Sequence, residues 1–241
     1  SLFANVFVYD RAGLGWSEDS ELARTSSNMV DELHQLLIDA KVEGPYILVG
    51  QSFGGANMQL FAKRYPELVA GLVLVDSVHE EQLERLPSRN GFRQSILRLG
   101  MMAAPFGVPR MYLSLSDPYE QASKSTVKHQ YTSLAESKSF AESLQALKSK
   151  TNQLRQLPLT VIARNKASAE LASNGGSKRN IAWAELQEQL AASSNRSELI
   201  FSGTKYHMIH RKHPELVVQA IERHAGQLTT RGKNKGSISA M

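Results

Sequence analysis

With 241 residues, 41% of them hydrophobic, the chain is long enough for one large globular domain, or for a domain carrying an insertion. It has no cysteine, which excludes disulfides, thiolate metal sites and cysteine nucleophiles. The net charge of +5 falls partly in a polar terminal stretch with Arg231, Lys233 and Lys235; no aromatic-studded basic patch points to nucleic acid, and no run approaches the ~20 apolar residues of a membrane span, so neither a nucleic-acid partner nor stable membrane insertion is expected.

In chain order, Val6–Asp10 reads as a short buried strand followed by a glycine-containing turn, Arg11–Ser17. A helix starts at Thr25 or Ser26, with Met29, Leu33, Leu36 and Leu37 as its apolar stripe, and Gly44-Pro45 closes it. Residues 46–51 form a buried-strand pattern running into Gly50-Gln51-Ser52-Phe53-Gly54, and Ala56–Tyr65 reads as a helix stopped at Pro66. Strand, sharp turn with a central serine, then helix is the context of a nucleophile elbow. Ser52 is therefore the candidate nucleophile. Gly50 and Gly54 flank it as positions where a side chain is expected to collide with the neighbouring strand or helix. Gly71–Asp76 is another short apolar run of the parallel-strand type. Strands alternating with helices imply an α/β fold with a mostly parallel sheet.

From about His79 to Gln156 the texture is helical and amphipathic, broken by Pro87, Pro105, Pro109 and Pro118. Met101, Met102, Phe106, Met111, Tyr112 and Leu113 make it locally oily, either to meet an apolar substrate or to pack the segment itself. A stretch this long between strands is expected to be a helical insertion. Strand character returns at Leu159–Ala163. A helix over Ile181–Ala192 carries Trp183, Leu186 and Leu190 on one side. Glu198–Phe201 is the last strand, and the closing helix, Pro214–Ala225, turns Leu216, Val217, Ala220 and Ile221 inward. The expected division is residues 1–78 and 158–226 for the two parts of the core, 79–157 for the insertion and 227–241 for a flexible tail.

A serine nucleophile needs a base, most often an imidazole oriented by a carboxylate. His207 is the candidate because it follows the last strand, at the carboxyl edge of the sheet on which the elbow opens. His210 is the rival, while His34, His129, His213 and His224 read as solvated positions. For the acid, the stretch after Ala163 offers nothing until Glu170. Asp76, at the end of the strand that follows the elbow helix, is the favoured candidate, with Glu170 the second and Glu80 and Glu81 behind both. No cofactor and no metal is implied, and no N-terminal signal peptide is visible, so the expected compartment is the cytoplasm.

Four motifs together resemble the α/β-hydrolase superfamily, specifically its cap-bearing members: Tyr9–Ser17, Gly50–Gly55, Leu74–Ser77, and His207–His210 with Pro214–Val217. The resemblance implies that Ser52 is the nucleophile and His207 the base, that the Phe53 N–H is half of the oxyanion hole, and that residues 79–157 are a helical cap shaping an acyl pocket. Haloalkane dehalogenases look similar around the first motif and include members with an acid at the place of Asp76. They use an aspartate nucleophile, so Ser52 argues against their chemistry and against epoxide hydrolysis. The family's fold normally begins with three strands before the Tyr9-Asp10-Arg11 motif, whereas five residues precede Val6 here. The chain therefore reads as N-terminally incomplete, with no strand for Val6–Asp10 to join on the nucleophile side, and is expected not to be a competent enzyme alone. The expected function is a serine hydrolase acting on a small-molecule carboxylic ester or related acyl substrate; the competing expectation is a non-catalytic ligand-binding domain of the same fold.

Overall fold

The computed structural model describes residues 3–86, 90–112, 122–149 and 154–236. Four strands, β1 (Tyr46–Gln51), β2 (Val69–Val75), β3 (Leu159–Ala163) and β4 (Ser197–Phe201), form one parallel sheet in the order β1-β2-β3-β4. Helices α1 (Ser26–Asp39) and α2 (Phe53–Arg64) pack in the large apolar cluster on one face; α10 (Ile209–Lys212) and α11 (Pro214–Gly236) cover the other. The inner strands are apolar but for Thr160 of β3, because both faces are buried. Leu72 and Leu74 join Leu159 and Val161 in the cluster that holds Val30, Leu33 and Phe61. Val73, Val75 and Ile162 point the other way, toward Ile209 and Ala220. This is the period-two alternation of a strand written in two apolar halves.

The parallel register aligns the strand ends that matter. Gln51 lies opposite Val75, Val75 opposite Ile162, and Ala163 opposite Phe201, so the residues after each strand emerge along one edge. Between β2 and β3 the described residues include the helices α3 (Gln82–Arg85), α4 (Asn90–Ala103), α5 (Val108–Tyr112), α6 (Val127–Lys138) and α7 (Phe140–Lys148). α6 begins at a Thr126 cap whose hydroxyl accepts from the His129 N–H, and α7 packs on α1 and α2. The Arg11–Ser17 turn ties this segment to the core. Arg11 makes a two-pronged ion pair with Glu136 at 2.9 and 3.0 Å, and Lys128 Nζ donates to Ser17 O at 2.7 Å. Gly13, at φ 78°, sits so close to α6 that a Cβ there would lie 2.1 Å from Thr132 Oγ1. Two more helices, α8 (Ser168–Ser173) and α9 (Lys178–Ala192), fill the β3–β4 connection.

Several expectations are corrected. Val6–Asp10 joins no ladder, and Val6 and Val8 are 72% and 82% exposed. Its apolar run suits a strand, but β1 pairs only with β2 among the described strands and offers the run no partner. On α1 the buried stripe is Met29, Val30, Leu33 and Leu37, with Leu36 exposed. The closing helix runs on to Gly236, through much of the expected tail. Pro87, Leu113 and Pro118 lie outside the described residues.

His224 is buried, not solvated: its Nε2 pairs with Thr160 Oγ1 at 3.1 Å, and its ring packs so closely on β2 that a Cβ on Gly71 would sit 2.9 Å from Nδ1. Burial, seconded by the Arg223 charge, pulls this imidazole below its ordinary value. Burial does the same to His79, His129 and His210. Such groups bind protons more readily when unfolded, so stability is full above the unfolded value of about 6.5 and is lost as pH falls through the window beneath it. The urea midpoint should therefore drop between about pH 7.5 and about pH 5.5, on either side of that value. His224→Gln should show a smaller drop; an unchanged drop would mean that protonation of this ring is not coupled to folding.

Candidate active site

Ser52 occupies the turn between β1 and α2 with φ 53° and ψ −122°, a conformation disfavoured for a residue with a side chain. Hydrogen bonds to the β2 end hold it there. The Ser52 N–H donates to Val75 O at 3.1 Å, while Ser52 O accepts from the N–H groups of Gly55 at 3.0 Å and Val78 at 3.2 Å. A Cβ on Gly50 would lie 2.6 Å from Gly55 Cα, and one on Gly55 would lie 2.0 Å from Ser77 Oγ. The tight pair is thus Gly50 and Gly55. Gly54, expected to be the second crowded position, has nothing within 4 Å of an added Cβ. Phe53 is the first residue of α2, so its N–H is one of those that helix geometry leaves without an intrahelical acceptor.

Asp76 ends β2 with φ 44°, and its carboxylate is fully buried. Four donors satisfy it. Oδ2 accepts from His207 Nδ1 at 2.5 Å and from an Arg164 guanidinium nitrogen at 2.9 Å. Oδ1 accepts from Trp183 Nε1 at 2.8 Å and from the Arg164 backbone N–H at 3.4 Å. The Arg164 guanidinium also stands 4.8 Å from the centre of the Trp183 ring. A carboxylate removed from water stays ionised only with such company. Because His207 gives its Nδ1–H to this anion, the lone pair is left on Nε2. That lone pair accepts from Gln51 Nε2 at 3.0 Å, and the same amide reaches His207 O at 3.4 Å. Ser52 Oγ makes no hydrogen bond among the described residues.

The structure thus brings Asp76, His207 and the Ser52 turn to one edge and leaves the rival residues elsewhere. His210 lies on α10 away from the carboxylate, with its Nδ1 buried and unpartnered. Glu170 pairs with Lys166 on α8, and Glu80 with Lys63. The Glu81 backbone N–H donates to His79 Nδ1, at the start of α3. Sequence reading missed Arg164, Trp183 and Gln51. A signal existed for Arg164: the search for an acid after Ala163 met a base instead, and a cation there has a reason once β2 and β3 are neighbours. Trp183 looked like a core residue of an amphipathic helix, which by burial it also is. Among the described residues no group of three or more His, Cys, Asp or Glu could hold a metal ion, and no helix is long and apolar enough to cross a membrane.

Comparison with known proteins gives the family and the fold. The family model for the alpha/beta hydrolase fold matches residues 4–225, and the chain belongs to that family. Among sequence relatives, the uncharacterized protein YqjL of Bacillus subtilis is 28% identical over 216 residues, covering 90% of this chain and 71% of that protein. An uncharacterized protein of Schizosaccharomyces pombe is 26% identical over 192 residues, covering 80% of this chain and 36% of its own length. Among solved structures, the ancestral haloalkane dehalogenase AncHLD2 superposes with a TM-score of 0.65 at 16% identity, covering 92% of this chain and 81% of that one. The N-formylmaleamic acid deformylase of Pseudomonas putida S16 gives 0.60 at 19% identity, covering 88% and 79%. These structural likenesses establish the fold, and membership of the superfamily supports a hydrolase.

The glycine geometry has a direct check. Gly50→Ala forces Cβ into backbone atoms that cannot turn aside and should lower unfolding free energy by about 1–3 kcal/mol. Gly54→Ala, in the open first turn of α2, should be neutral or stabilising by up to about 1 kcal/mol. Urea unfolding of the two variants side by side reads the difference; equal effects would refute the assignment of the crowded position.

Proposed function

We propose that the chain is a serine hydrolase that cleaves a carboxylic ester or related acyl substrate through an acyl-serine intermediate. The observation that supports this reading is the buried Asp76 carboxylate on His207 Nδ1, which leaves the lone pair on Nε2, beside Gln51, the residue that precedes the strained Ser52 turn. In the reaction, the Gln51 amide leaves Nε2, and His207 takes the Ser52 hydroxyl proton as Oγ bonds to the substrate carbonyl carbon. The Phe53 N–H donates to the carbonyl oxygen as it gains negative charge. His207 then returns the proton to the leaving oxygen as the carbon–oxygen bond breaks. Water, deprotonated by the same Nε2, attacks the acyl carbon. The imidazolium gives that proton to Ser52 Oγ as the acyl carbon–Oγ bond breaks, releasing the acid. Asp76 keeps the imidazole in its tautomer and balances the imidazolium that forms at each proton transfer. In this reading the helices between β2 and β3 form the cap that supplies the acyl pocket.

Labelling with a fluorophosphonate probe tests the reading, because a poised serine reacts and an ordinary one does not. Ser52→Ala should abolish labelling, and His207→Ala should slow it by at least about a hundredfold. Labelling that survives in Ser52→Ala would sink the proposal. The contact between Gln51 and Nε2 gives the alternative, a ligand-binding domain with a quiescent serine, one specific support. If that contact merely competes with Ser52 for the lone pair, Gln51→Ala should label faster, by up to about tenfold, the worth of one neutral hydrogen bond. A wild-type chain and a Gln51→Ala variant that both stay folded and unlabelled would favour the binding domain.

A further inference from the structure

Among the described residues, helix α4 packs on one side only. On its inner side, Gln94 Nε2 donates to Ser137 O of α6 at 3.3 Å, and Gly100 comes so close to α6 that a Cβ there would lie 2.8 Å from Gln130 Oε1. On its outer side, Phe92, Ile96 and Leu99 recur at the i, i+4, i+7 spacing of one helical face. The apolar line runs through Met102 in the last turn of α4 and past the helix end to Phe106 and Met111, where Gly107 in the left-handed region (φ 73°) turns the chain from a short 3₁₀ turn into α5. These six side chains are 53% to 82% exposed. The oily residues of this segment were expected to meet a substrate or to pack the segment; Met102, Phe106 and Met111 instead face solvent. A contiguous face of this kind marks an interaction surface.

Its charge selects the partner. Residues 90–112 contain Arg93, Arg98 and Arg110 and no aspartate or glutamate, and Arg98 is exposed on α4. A second copy of the chain would bring like charge against like. An anionic bilayer surface fits both properties: bulky apolar side chains reach the boundary of the acyl chains while guanidinium groups meet headgroup phosphates. Neither helix is long or apolar enough to span, so the contact is interfacial. We propose that the outer face of α4 and α5, formed by Phe92, Ile96, Leu99, Met102, Phe106 and Met111 with Arg98 at its margin, docks the protein on anionic lipid surfaces. The docking requires nothing of Ser52 and stands or falls apart from the hydrolase reading.

Flotation with lipid vesicles tests it. The chain should float with vesicles of phosphatidylcholine mixed with phosphatidylserine, float far less with phosphatidylcholine alone, and release as salt is raised. The double variant Ile96→Glu with Leu99→Glu should bind at least about a hundredfold more weakly, since it puts two charges where apolar groups would enter the interface. Both positions are exposed, so circular dichroism and the thermal midpoint should match the wild type. Arg98→Glu should reduce binding to the anionic vesicles by roughly fivefold or more with no change on neutral ones. Absence of binding to both vesicle types would overturn the proposal. So would a wild-type dimer in sedimentation equilibrium that the double variant converts to monomer while neither binds lipid, because the face would then join two copies.

Discussion

The arrangement at the carboxyl edge of the sheet rests on one requirement: the Asp76 carboxylate is fully buried, and a buried anion must be surrounded by donors. Those donors come from separate parts of the chain. Arg164 follows β3, Trp183 belongs to α9, and His207 lies in the loop after β4. A single side chain thus gathers the ends of two strands, a helix and a loop. Breaking a buried pair of this kind typically costs about 3–5 kcal/mol, because the partner left behind has no water to turn to. The same demand fixes the tautomer and ring orientation of His207, so a stability requirement and a chemical one are met by the same hydrogen bonds.

The elbow is bound into this arrangement through the backbone. Ser52 takes its main-chain hydrogen bonds from Val75 and Val78, which bracket Asp76 on either side. The strained turn and the buried acid are therefore held by the same few residues, from the end of β2 to Val78. Such over-determination is what lets an unfavourable φ/ψ pair persist. Parallel register supplies the rest, since it sets Gln51, Val75 and Ile162 level across three strands.

Much of this was legible in the sequence, for particular reasons. β2 and β3 were readable because strands buried on both faces write nearly continuous apolar runs bounded by turn residues, β1 and β4 from shorter apolar runs at the sheet margins, and the serine turn was readable from its strand–turn–helix setting. What failed to show was mostly a matter of neighbours. The run Val6–Asp10 has strand composition, but composition does not say whether an adjacent strand exists. The choice between Gly54 and Gly55 depended on Ser77, a residue more than twenty positions on, whose hydroxyl fills the space above Gly55. His224 sits among Arg223 and other polar residues and reads as solvated, yet its partner, Thr160, lies 64 residues away on β3. Arg164 was hidden by the question asked of its position: an acid was sought there, and the cation found there serves the acid next door.

Trp183 gives the molecule an internal optical reporter. The chain has two tryptophans; Trp16 is well exposed, whereas Trp183 is buried with its indole N–H on the carboxylate and a guanidinium close to its ring. The emission of an indole responds to the electric field across it, and here that field is set by Asp76, Arg164 and the charge state of His207. A bulk quencher in solvent should silence Trp16 and leave the other signal. The remaining fluorescence then follows the charge balance around Asp76 directly, without a substrate, a label or a mutation.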